Sequence, residues 1–188
     1  FTSGINIYIL LAIFIAGASL LAYLIIFVPK FDYIQGRIFS FFNRETGTHN
    51  FQSDKAIESI TSGGFFGKGI GEGVLKNRVP EAHTDYIISV ISEEFGVVAI
   101  MLILLLFLIL IYMVFKKISF ETNDKVKLIL IGSISLILMQ ATIHIGVNIR
   151  LFPTTGMTLP FLSYGGSSII STSILAGIIL NLTKRKIT

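Results

Sequence analysis

Long uncharged apolar runs alternate with polar segments along the 188-residue chain. Four of these runs are predicted to be membrane-spanning helices, because a helix of about 20 apolar residues crosses the hydrocarbon core of a bilayer. They occupy about residues 5–29, 95–115, 128–149 and 161–182. The pattern therefore predicts an all-α, polytopic membrane protein that forms one membrane domain with four transmembrane helices.

A long polar segment, residues 30–85, separates the first two apolar runs. Most connections in compact domains have a median length of about 4–6 residues, and much longer ones often carry function. Within this loop we predict a short amphipathic helix over residues 53–61, which the glycines at 63 and 64 end. Pro80 fits a helix start, and residues 85–94 are predicted to extend the second spanning helix out of the membrane.

The composition excludes a typical soluble domain. Hydrophobic residues make up 53% of the chain and charged residues only 14%, whereas soluble domains carry about 25% charged residues. The absence of cysteine excludes disulfides and thiolate metal sites. The net charge of +4 is small and scattered, so we expect no nucleic acid partner. Because the chain begins at Phe1 without a basic leader, we expect a fragment of a longer protein.

Basic residues are concentrated in two short segments, the linker 116–127 and the tail 184–186, which together hold seven Lys and Arg. The long loop also holds seven, but seven Asp and Glu balance them. Basic residues beside helix ends favour the cytoplasmic side of a membrane. The linker and the tail are therefore predicted to be cytoplasmic, and the loop extracytoplasmic.

A glycine cluster, SGGFFGKGIGEG, occupies residues 62–73 of the loop. It is not a P-loop, because Lys68 is followed by Gly69 rather than Ser or Thr. No predicted strand precedes it, which excludes a dinucleotide fingerprint. Two interpretations stay open: a turn that folds back on the membrane surface, or a set of backbone amides that binds phosphate beside Lys68.

Acidic and protic side chains are dense in the segment RVPEAHTDYIISVISEE, residues 78–94. Four of them fall within five positions: Glu81, His83, Thr84 and Asp85. Helical spacing predicts Asp85, Ser89 and Glu93 on one face. Helix capping accounts for one acid at a helix N-terminus, but this density at the mouth of a membrane span favours a site for a polar substrate.

Polar residues recur every four positions in the third apolar run, as Gln140, His144 and Asn148. This spacing predicts one polar stripe along a membrane helix, which either bonds to neighbouring helices or lines a cavity. The link after that helix, residues 152–168, holds Pro153 and Pro160 and is predicted to be irregular. Irregular backbone at membrane depth needs protein or a cavity beside it.

Four motifs together resemble one family, the SEDS proteins (shape, elongation, division and sporulation). In chain order they are SGGFFGKGIGEG, VPEAHTDYIISVISEEFG, QATIHIGVN and PTTGMTLPFLSYGGSS, and the resemblance covers nearly the whole chain. The resemblance implies the C-terminal part of a ten-helix fold, with the last four helices and the large extracytoplasmic loop. Ala82 and the pair Met157 and Thr158 are more similar to the division and sporulation members than to the elongation member.

The resemblance also implies a function in the bacterial cytoplasmic membrane. It implies a peptidoglycan glycosyltransferase that polymerises lipid II, an undecaprenyl-pyrophosphate-linked disaccharide peptide, on the extracytoplasmic side, and we expect this to occur during cell division. The essential aspartate of the SEDS proteins corresponds to Asp85, expected to be the catalytic residue. Its carboxylate would take the proton of the attacking hydroxyl or orient it, or it would share a divalent cation, Mg²⁺ or Mn²⁺, with the pyrophosphate.

Further residues are expected to bind the substrate because they are polar and accompany these motifs: Lys68, Arg78, Glu81, His83, Gln140, His144, Asn148 and Ser167. The partners that the resemblance implies are a class B penicillin-binding protein, which crosslinks the glycan, and other membrane proteins of the divisome. Two further functions stay open, a lipid II flippase or transporter and a noncatalytic divisome scaffold.

Overall fold

The computed structural model describes residues 6–43, 48–79 and 81–184, and within these ranges the regular elements are helical. Seven α-helices follow one another: α1 Ile7–Phe27, α2 Asp32–Asn43, α3 Thr48–Gly63, α4 Leu75–Arg78, α5 Ile87–Phe120, α6 Asp124–Asn148 and α7 Gly166–Thr183. A single 3₁₀ turn, Pro29–Phe31, joins α1 to α2. The all-α class predicted from the sequence is confirmed.

Four of the described helices are long and apolar enough to cross a membrane: α1, α5, α6 and α7. This agrees with the four spans predicted from the apolar runs and makes the chain a multi-pass membrane protein. The helix α5 has 34 residues, which at about 1.5 Å per residue is longer than the hydrocarbon core is thick. Part of α5 must therefore extend beyond the hydrocarbon.

The described chain divides into two compact units, residues 1–50 and 51–188. In the first unit, α1 has no buried residue and is apolar all round, as expected for a helix surrounded by lipid or by other membrane helices. The side chain of Asn6 caps its start by accepting from the backbone N–H of Tyr8 at 3.1 Å. It ends at Phe27, two residues before Pro29, which cannot continue a helix.

The second unit is built around the packed helices α5, α6 and α7. One apolar cluster joins all three helices and holds Val114, Leu130, Ile134, Ile137 and Ile179. A second apolar cluster lies beneath the loop, where Ala56 of α3 and Leu75 of α4 pack with Tyr86, Val90 of α5 and Val147 of α6. The loop helices are thus fastened by apolar packing to the ends of α5 and α6, next to residues 81–86.

Two helix starts differ from the sequence prediction. The helix α3 begins at Thr48 rather than at Ser53, whose side chain is buried in the helix instead of capping it. The helix α5 begins at Ile87, and residues 81–86 form turns. Glu81 has a φ of +64°, in the left-handed region that a right-handed helix cannot include. The prediction that Asp85 lies within the helix is therefore wrong.

The helix α5 is broken at Gly96, where φ is +77° and ψ is −175°. The backbone of residues 64–73, which we call the glycine loop, crosses this break and forms the hydrogen bonds that the helix loses. The N–H of Val97 donates to the carbonyl of Gly64 at 3.0 Å, and that of Lys68 donates to the carbonyl of Glu93 at 2.9 Å. The loop therefore forms hydrogen bonds with both halves of α5.

Glycine is required where the glycine loop meets α5. A Cβ added at Gly67 would lie 2.2 Å from the carbonyl oxygen of Glu94, and one added at Gly96 would lie 2.2 Å from that of Phe65. Both glycines also have a φ of +77°, which residues with a Cβ rarely adopt. The glycine cluster noticed in the sequence thus permits direct contact between two backbones.

Candidate functional site

The turn of residues 81–86 holds Asp85 beside the start of α5. Its neighbours Ala82 and Tyr86 are buried in the apolar cluster beneath the loop, whereas Asp85 is half-buried. The backbone N–H of Asp85 donates to the carbonyl of Glu81 at 3.0 Å. The turn therefore anchors its apolar side chains in the protein and leaves the carboxylate of Asp85 partly exposed to solvent.

Three successive carbonyls of this turn accept hydrogen bonds from groups far along the chain. The carbonyl of His83 accepts from the N–H of Tyr164 at 3.1 Å. That of Thr84 accepts from the hydroxyl of Ser163 at 2.7 Å, and that of Asp85 accepts from the side-chain amide of Asn148 at 2.9 Å. These bonds hold the backbone on either side of Asp85 against α6 and the link. Because α7 begins at Gly166, the link comprises residues 152–165.

Asn148 is fully buried and uses both ends of its amide group. Its Nδ2 donates to the carbonyls of Asp85 and of His144, each at 2.9 Å. Its Oδ1 accepts from the hydroxyl of Ser89 at 2.7 Å and from the N–H of Ser89 at 3.2 Å. Asn148 was predicted to bind substrate, but these bonds make it a support for the Asp85 turn.

Gln140 and His144 fasten the link to α6. The Nε2 of Gln140 lies within 3.1 Å of the carbonyl and hydroxyl oxygens of Thr158 and 3.0 Å from the hydroxyl of Ser168. The Nδ1 of His144 lies 2.7 Å from the carbonyl oxygen of Met157. Of the two interpretations of the polar stripe, the structure favours bonding to neighbouring segments over the lining of a cavity.

The link 152–165 forms a wall beside the carboxylate of Asp85. Gly156 has a φ of +69°, and a Cβ added there would lie 3.7 Å from Oδ2 of Asp85. The hydroxyl of Ser163 accepts from the N–H of Leu159 at 2.8 Å while it donates to Thr84. Sequence reasoning identified the link as irregular but missed Gly156 and Ser163, since their roles depend on contacts with a turn about 70 residues earlier.

Lys68 forms an ion pair with Glu93 at 2.9 Å. Glu93 is buried, and its second oxygen accepts from the N–H groups of Val74 at 3.1 Å and Leu75 at 2.9 Å, at the start of α4. The N–H groups of Gly67, Lys68 and Gly69 donate to backbone carbonyls. The geometry thus favours the folded-back turn over a phosphate cradle of backbone amides.

The remaining predicted residues occupy different positions around the turn. Glu81 and His83 are exposed in the turn, and Arg78 is exposed at the end of α4. Ser167 is exposed, and it is the next residue, Ser168, whose hydroxyl contacts Gln140 and Thr158. Asp85, Ser89 and Glu93 do not share one helical face, because Asp85 precedes the helix. Ser89 and Glu93 bind separate partners, Asn148 and Lys68.

Arg150, which sequence reasoning did not single out, lies just after α6. Its guanidinium forms an ion pair with the carboxylate of Asp54 on α3. This contact ties the loop helix to the end of α6 near Asn148. No sequence signal indicated this pair, because its members are 96 positions apart.

In the part of the chain that the structure describes, no group of three or more His, Cys, Asp or Glu side chains is placed so that it could hold a metal ion. One half-buried carboxylate, Asp85, stands beside the wall of the link. Such a donor set suits Mg²⁺ or Mn²⁺ only where substrate phosphates and water provide most of the ligands.

Proteins of known sequence and a solved structure are similar to this chain. Two proteins named probable peptidoglycan glycosyltransferase FtsW are similar to this chain. That of Enterococcus hirae is 36% identical over 92% of this chain and 46% of its own length, and that of Caulobacter vibrioides is 39% identical over 83% and 40%. A chain from the solved structure described as "Structural coordination of polymerization and crosslinking by a peptidoglycan synthase complex" matches with a TM-score of 0.66 at 26% identity.

That match covers 94% of this chain and 48% of the solved chain, so this chain spans about half the length of the relatives it matches. The FtsW name of both relatives agrees with the predicted similarity to the division member of the family. The model of the FtsW, RodA and SpoVE family, described as "Cell cycle protein", matches residues 1–187. The chain therefore belongs to the FtsW, RodA and SpoVE family of cell cycle proteins.

Proposed function

We propose that the protein to which this chain belongs is a peptidoglycan glycosyltransferase that polymerises lipid II during cell division, and that Asp85 is its catalytic residue. The observation that carries this proposal is the Asp85 turn. A half-buried carboxylate lies at the end of a membrane helix, and three successive backbone carbonyls hold it in place. The two relatives are named probable peptidoglycan glycosyltransferases, and these names support the same reaction.

In the proposed reaction the 4-hydroxyl of one disaccharide attacks the anomeric carbon of another. A bond forms between that carbon and the 4-oxygen, and the bond from the carbon to the pyrophosphate breaks. The hydroxyl proton passes to the carboxylate of Asp85, and undecaprenyl pyrophosphate leaves. A general base of this kind typically contributes a factor of about 10²–10⁴ in rate, provided that it is held within hydrogen-bond reach of the hydroxyl.

Leaving pyrophosphate needs positive charge nearby. Arg78 ends α4, three residues before the turn begins at Glu81, and its side chain is exposed. We assign Arg78 to the pyrophosphate, with His83 as a second exposed group of the turn. Lys68 is a weaker candidate, because Glu93 already holds its ammonium group.

A divalent cation, Mg²⁺ or Mn²⁺, is part of the proposal only as an ion that arrives with the pyrophosphate. Asp85 would supply one carboxylate oxygen to it. When bound, such an ion neutralises negative charge on the leaving group. Among the described residues no group of three or more His, Cys, Asp or Glu side chains could hold a metal ion, so the protein itself would hold the ion weakly.

The proposed orientation places the Asp85 turn on the extracytoplasmic side of the bacterial cytoplasmic membrane, where lipid II is polymerised. The basic linker between α5 and α6 then lies in the cytoplasm, as expected from the positive-inside rule. The proposed partner is a class B penicillin-binding protein, together with other division membrane proteins. The solved complex that joins polymerization to crosslinking supports a partnership of this kind.

A flippase or transporter needs polar groups that line a path through the membrane. The stripe on α6 does not favour that function, because Gln140 and Asn148 direct their amide groups to Thr158, Ser168, Ser89 and the Asp85 turn. No observed contact favours a scaffold without catalysis. Glycosyl transfer is therefore the function that the geometry supports best.

Polymerisation of labelled lipid II by the purified full-length protein in detergent separates these functions. We expect glycan strands that lysozyme digests, formed without a transmembrane gradient. A protein that only moves or scaffolds lipid II would make none. Absence of strands from a protein that still binds its partner penicillin-binding protein would contradict the proposed function.

A further inference from the structure

Three large apolar side chains project from the glycine loop. Phe65, Phe66 and Ile70 are 75%, 86% and 80% exposed. They lie within six consecutive residues that also include Gly67, Lys68 and Gly69. A loop at a polar membrane surface rarely exposes so much apolar area in one place unless another apolar surface covers it.

The position of Gly96 along α5 sets the depth of this loop in the membrane. Between Glu94 and Lys116 the chain holds 21 residues without a charge, from Phe95 to Phe115, and Gly96 is the second of them. At about 1.5 Å per residue this stretch is about 30 Å long, which equals the thickness of the hydrocarbon core. Gly96 therefore lies at the boundary between hydrocarbon and headgroups.

The glycine loop is attached to α5 at that boundary. The carbonyl of Phe65 accepts from the N–H of Val98 at 3.3 Å, and the N–H of Gly69 donates to the carbonyl of Glu94 at 3.0 Å. The two backbones are so close at Gly96 that no Cβ fits there. Phe65 and Phe66 are thus held at the depth of Gly96 rather than above the membrane surface.

The apolar surface of the loop continues that of α5. Beyond the break, Val97, Val98 and Met101 are 37%, 53% and 63% exposed, on a helix that crosses the membrane. Phe95, just before the break, is also exposed. The exposed side chains of the loop therefore enlarge the apolar surface of α5 on one side of that helix.

From this continuity we propose that the glycine loop is a membrane anchor: Phe65, Phe66 and Ile70 insert into the acyl-chain boundary of the leaflet at the Gly96 end of α5. The occupant of this surface is lipid hydrocarbon. Aromatic and aliphatic side chains favour this boundary, where they leave water without crossing the bilayer. In the orientation proposed above, this is the extracytoplasmic leaflet.

An ion pair, two hydrogen bonds and buried apolar side chains connect the anchor to the Asp85 turn. Lys68 in the loop pairs with Glu93, and Glu93 accepts from the first N–H groups of α4. From α4 the chain leads through buried Val79 and Ala82 into the turn. Insertion of the loop would therefore set the height of Asp85 above the lipid surface, a consequence that rests on the proposed function, whereas the insertion itself does not.

Site-directed spin labelling of the full-length protein tests the insertion. A single cysteine at Phe66, in a cysteine-free background, receives a nitroxide, and the protein is reconstituted in vesicles of phosphatidylethanolamine and phosphatidylglycerol. Collision rates with oxygen, which dissolves in hydrocarbon, and with a water-soluble nickel chelate are then compared. Leu102→Cys, on the exposed apolar surface of α5, is the lipid control, and Asn77→Cys, exposed on α4, is the water control.

We expect the label at Phe66 to collide more with oxygen than with nickel, as at Leu102. Greater access to nickel, as at Asn77, would overturn the proposal. Low access to both reagents would overturn it too, because it would mean that protein covers the loop. Ile70→Cys provides a second position if the Phe66 variant does not give a monodisperse protein. No outcome depends on glycan synthesis, so the proposed function can fail while the anchor stands.

Discussion

Asn148 donates its side-chain amide to the backbone carbonyl of Asp85 at 2.9 Å, although 63 positions separate the two residues. The same amide group accepts from Ser89, so one buried side chain joins the end of α6 to the first turn of α5 and to Asp85, two residues before that helix begins. The orientation of the Asp85 carboxylate therefore depends on a residue that, by its own contacts, has little hydrogen-bonding capacity left for a substrate.

Replacing Asn148 tests this role. Asn148→Asp keeps an acceptor for Ser89 but removes the amide donor to the carbonyls of Asp85 and His144. Loss of these two buried hydrogen bonds costs about 1–3 kcal/mol, so we expect turnover of lipid II by the full-length protein to fall at least about tenfold. Because Asn148 does not bind substrate in this account, KM should stay nearly constant. An increase in KM with unchanged kcat would instead assign Asn148 to substrate binding.

Gly96→Ala should be severely destabilising. A φ of +77° with a ψ of −175° lies in a region that only glycine readily adopts, at a cost of about 1–3 kcal/mol to a residue with a side chain, and the added Cβ would meet the carbonyl oxygen of Phe65 at 2.2 Å. We expect a large drop in the thermal aggregation temperature of the purified full-length protein. Gly132→Ala in α6 is the matched control, since a Cβ there meets nothing within 4 Å. Equal stability of the two variants would contradict the described break in α5.

Lys68 and Arg78 are expected to differ in their effects. Lys68→Ala leaves the buried carboxylate of Glu93 without its ammonium partner, so it should lower thermal stability. Arg78→Ala removes an exposed cation, so it should leave stability nearly unchanged and raise KM for lipid II. The measurement is a thermal melt together with steady-state kinetics for each variant. If Lys68→Ala raised KM and Arg78→Ala did not, the result would contradict this assignment and support phosphate binding by the glycine cluster.

The orientation of the chain is testable in intact spheroplasts of cells that express the full-length protein. A cysteine at Asn77 should react with a membrane-impermeant maleimide, because α4 belongs to the loop. A cysteine at Asn123, in the linker between α5 and α6, should react only after the membrane is opened. The opposite labelling pattern would place the Asp85 turn in the cytoplasm, away from lipid II polymerisation.

The four spans could be predicted from the sequence because bilayer thickness sets the length of an apolar run. The stripe of Gln140, His144 and Asn148 could be predicted because helical spacing places residues four apart on one face. The partners of the stripe could not, since they lie in an irregular link whose path depends on contacts far along the chain. Sequence spacing alone therefore left open whether the stripe bonds or lines a cavity.

The break at Gly96 was not predictable from α5 itself. A single glycine within an apolar helical run is compatible with an unbroken helix, and the break exists because the glycine loop, about 30 residues earlier, supplies the lost hydrogen bonds. For a similar reason the sequence could not show that Ser168, rather than its neighbour Ser167, contacts Gln140. The face of α7 that meets Gln140 depends on where α7 begins, and a shift of one residue turns a side chain by about 100°.

Asp85→Asn tests the central claim most directly. Asparagine has nearly the same size, and the backbone carbonyl that Asn148 holds is unchanged, so the variant should fold and insert normally while it loses the carboxylate. Rates of lipid II polymerisation by purified full-length wild type and variant are measured side by side, with Glu72→Gln, an exposed acid of the glycine loop outside the predicted site, as the control. We predict that Asp85→Asn makes no detectable glycan strands and that Glu72→Gln keeps most of the activity. Strands formed by Asp85→Asn at the wild-type rate would contradict the assignment of Asp85 as the catalytic residue.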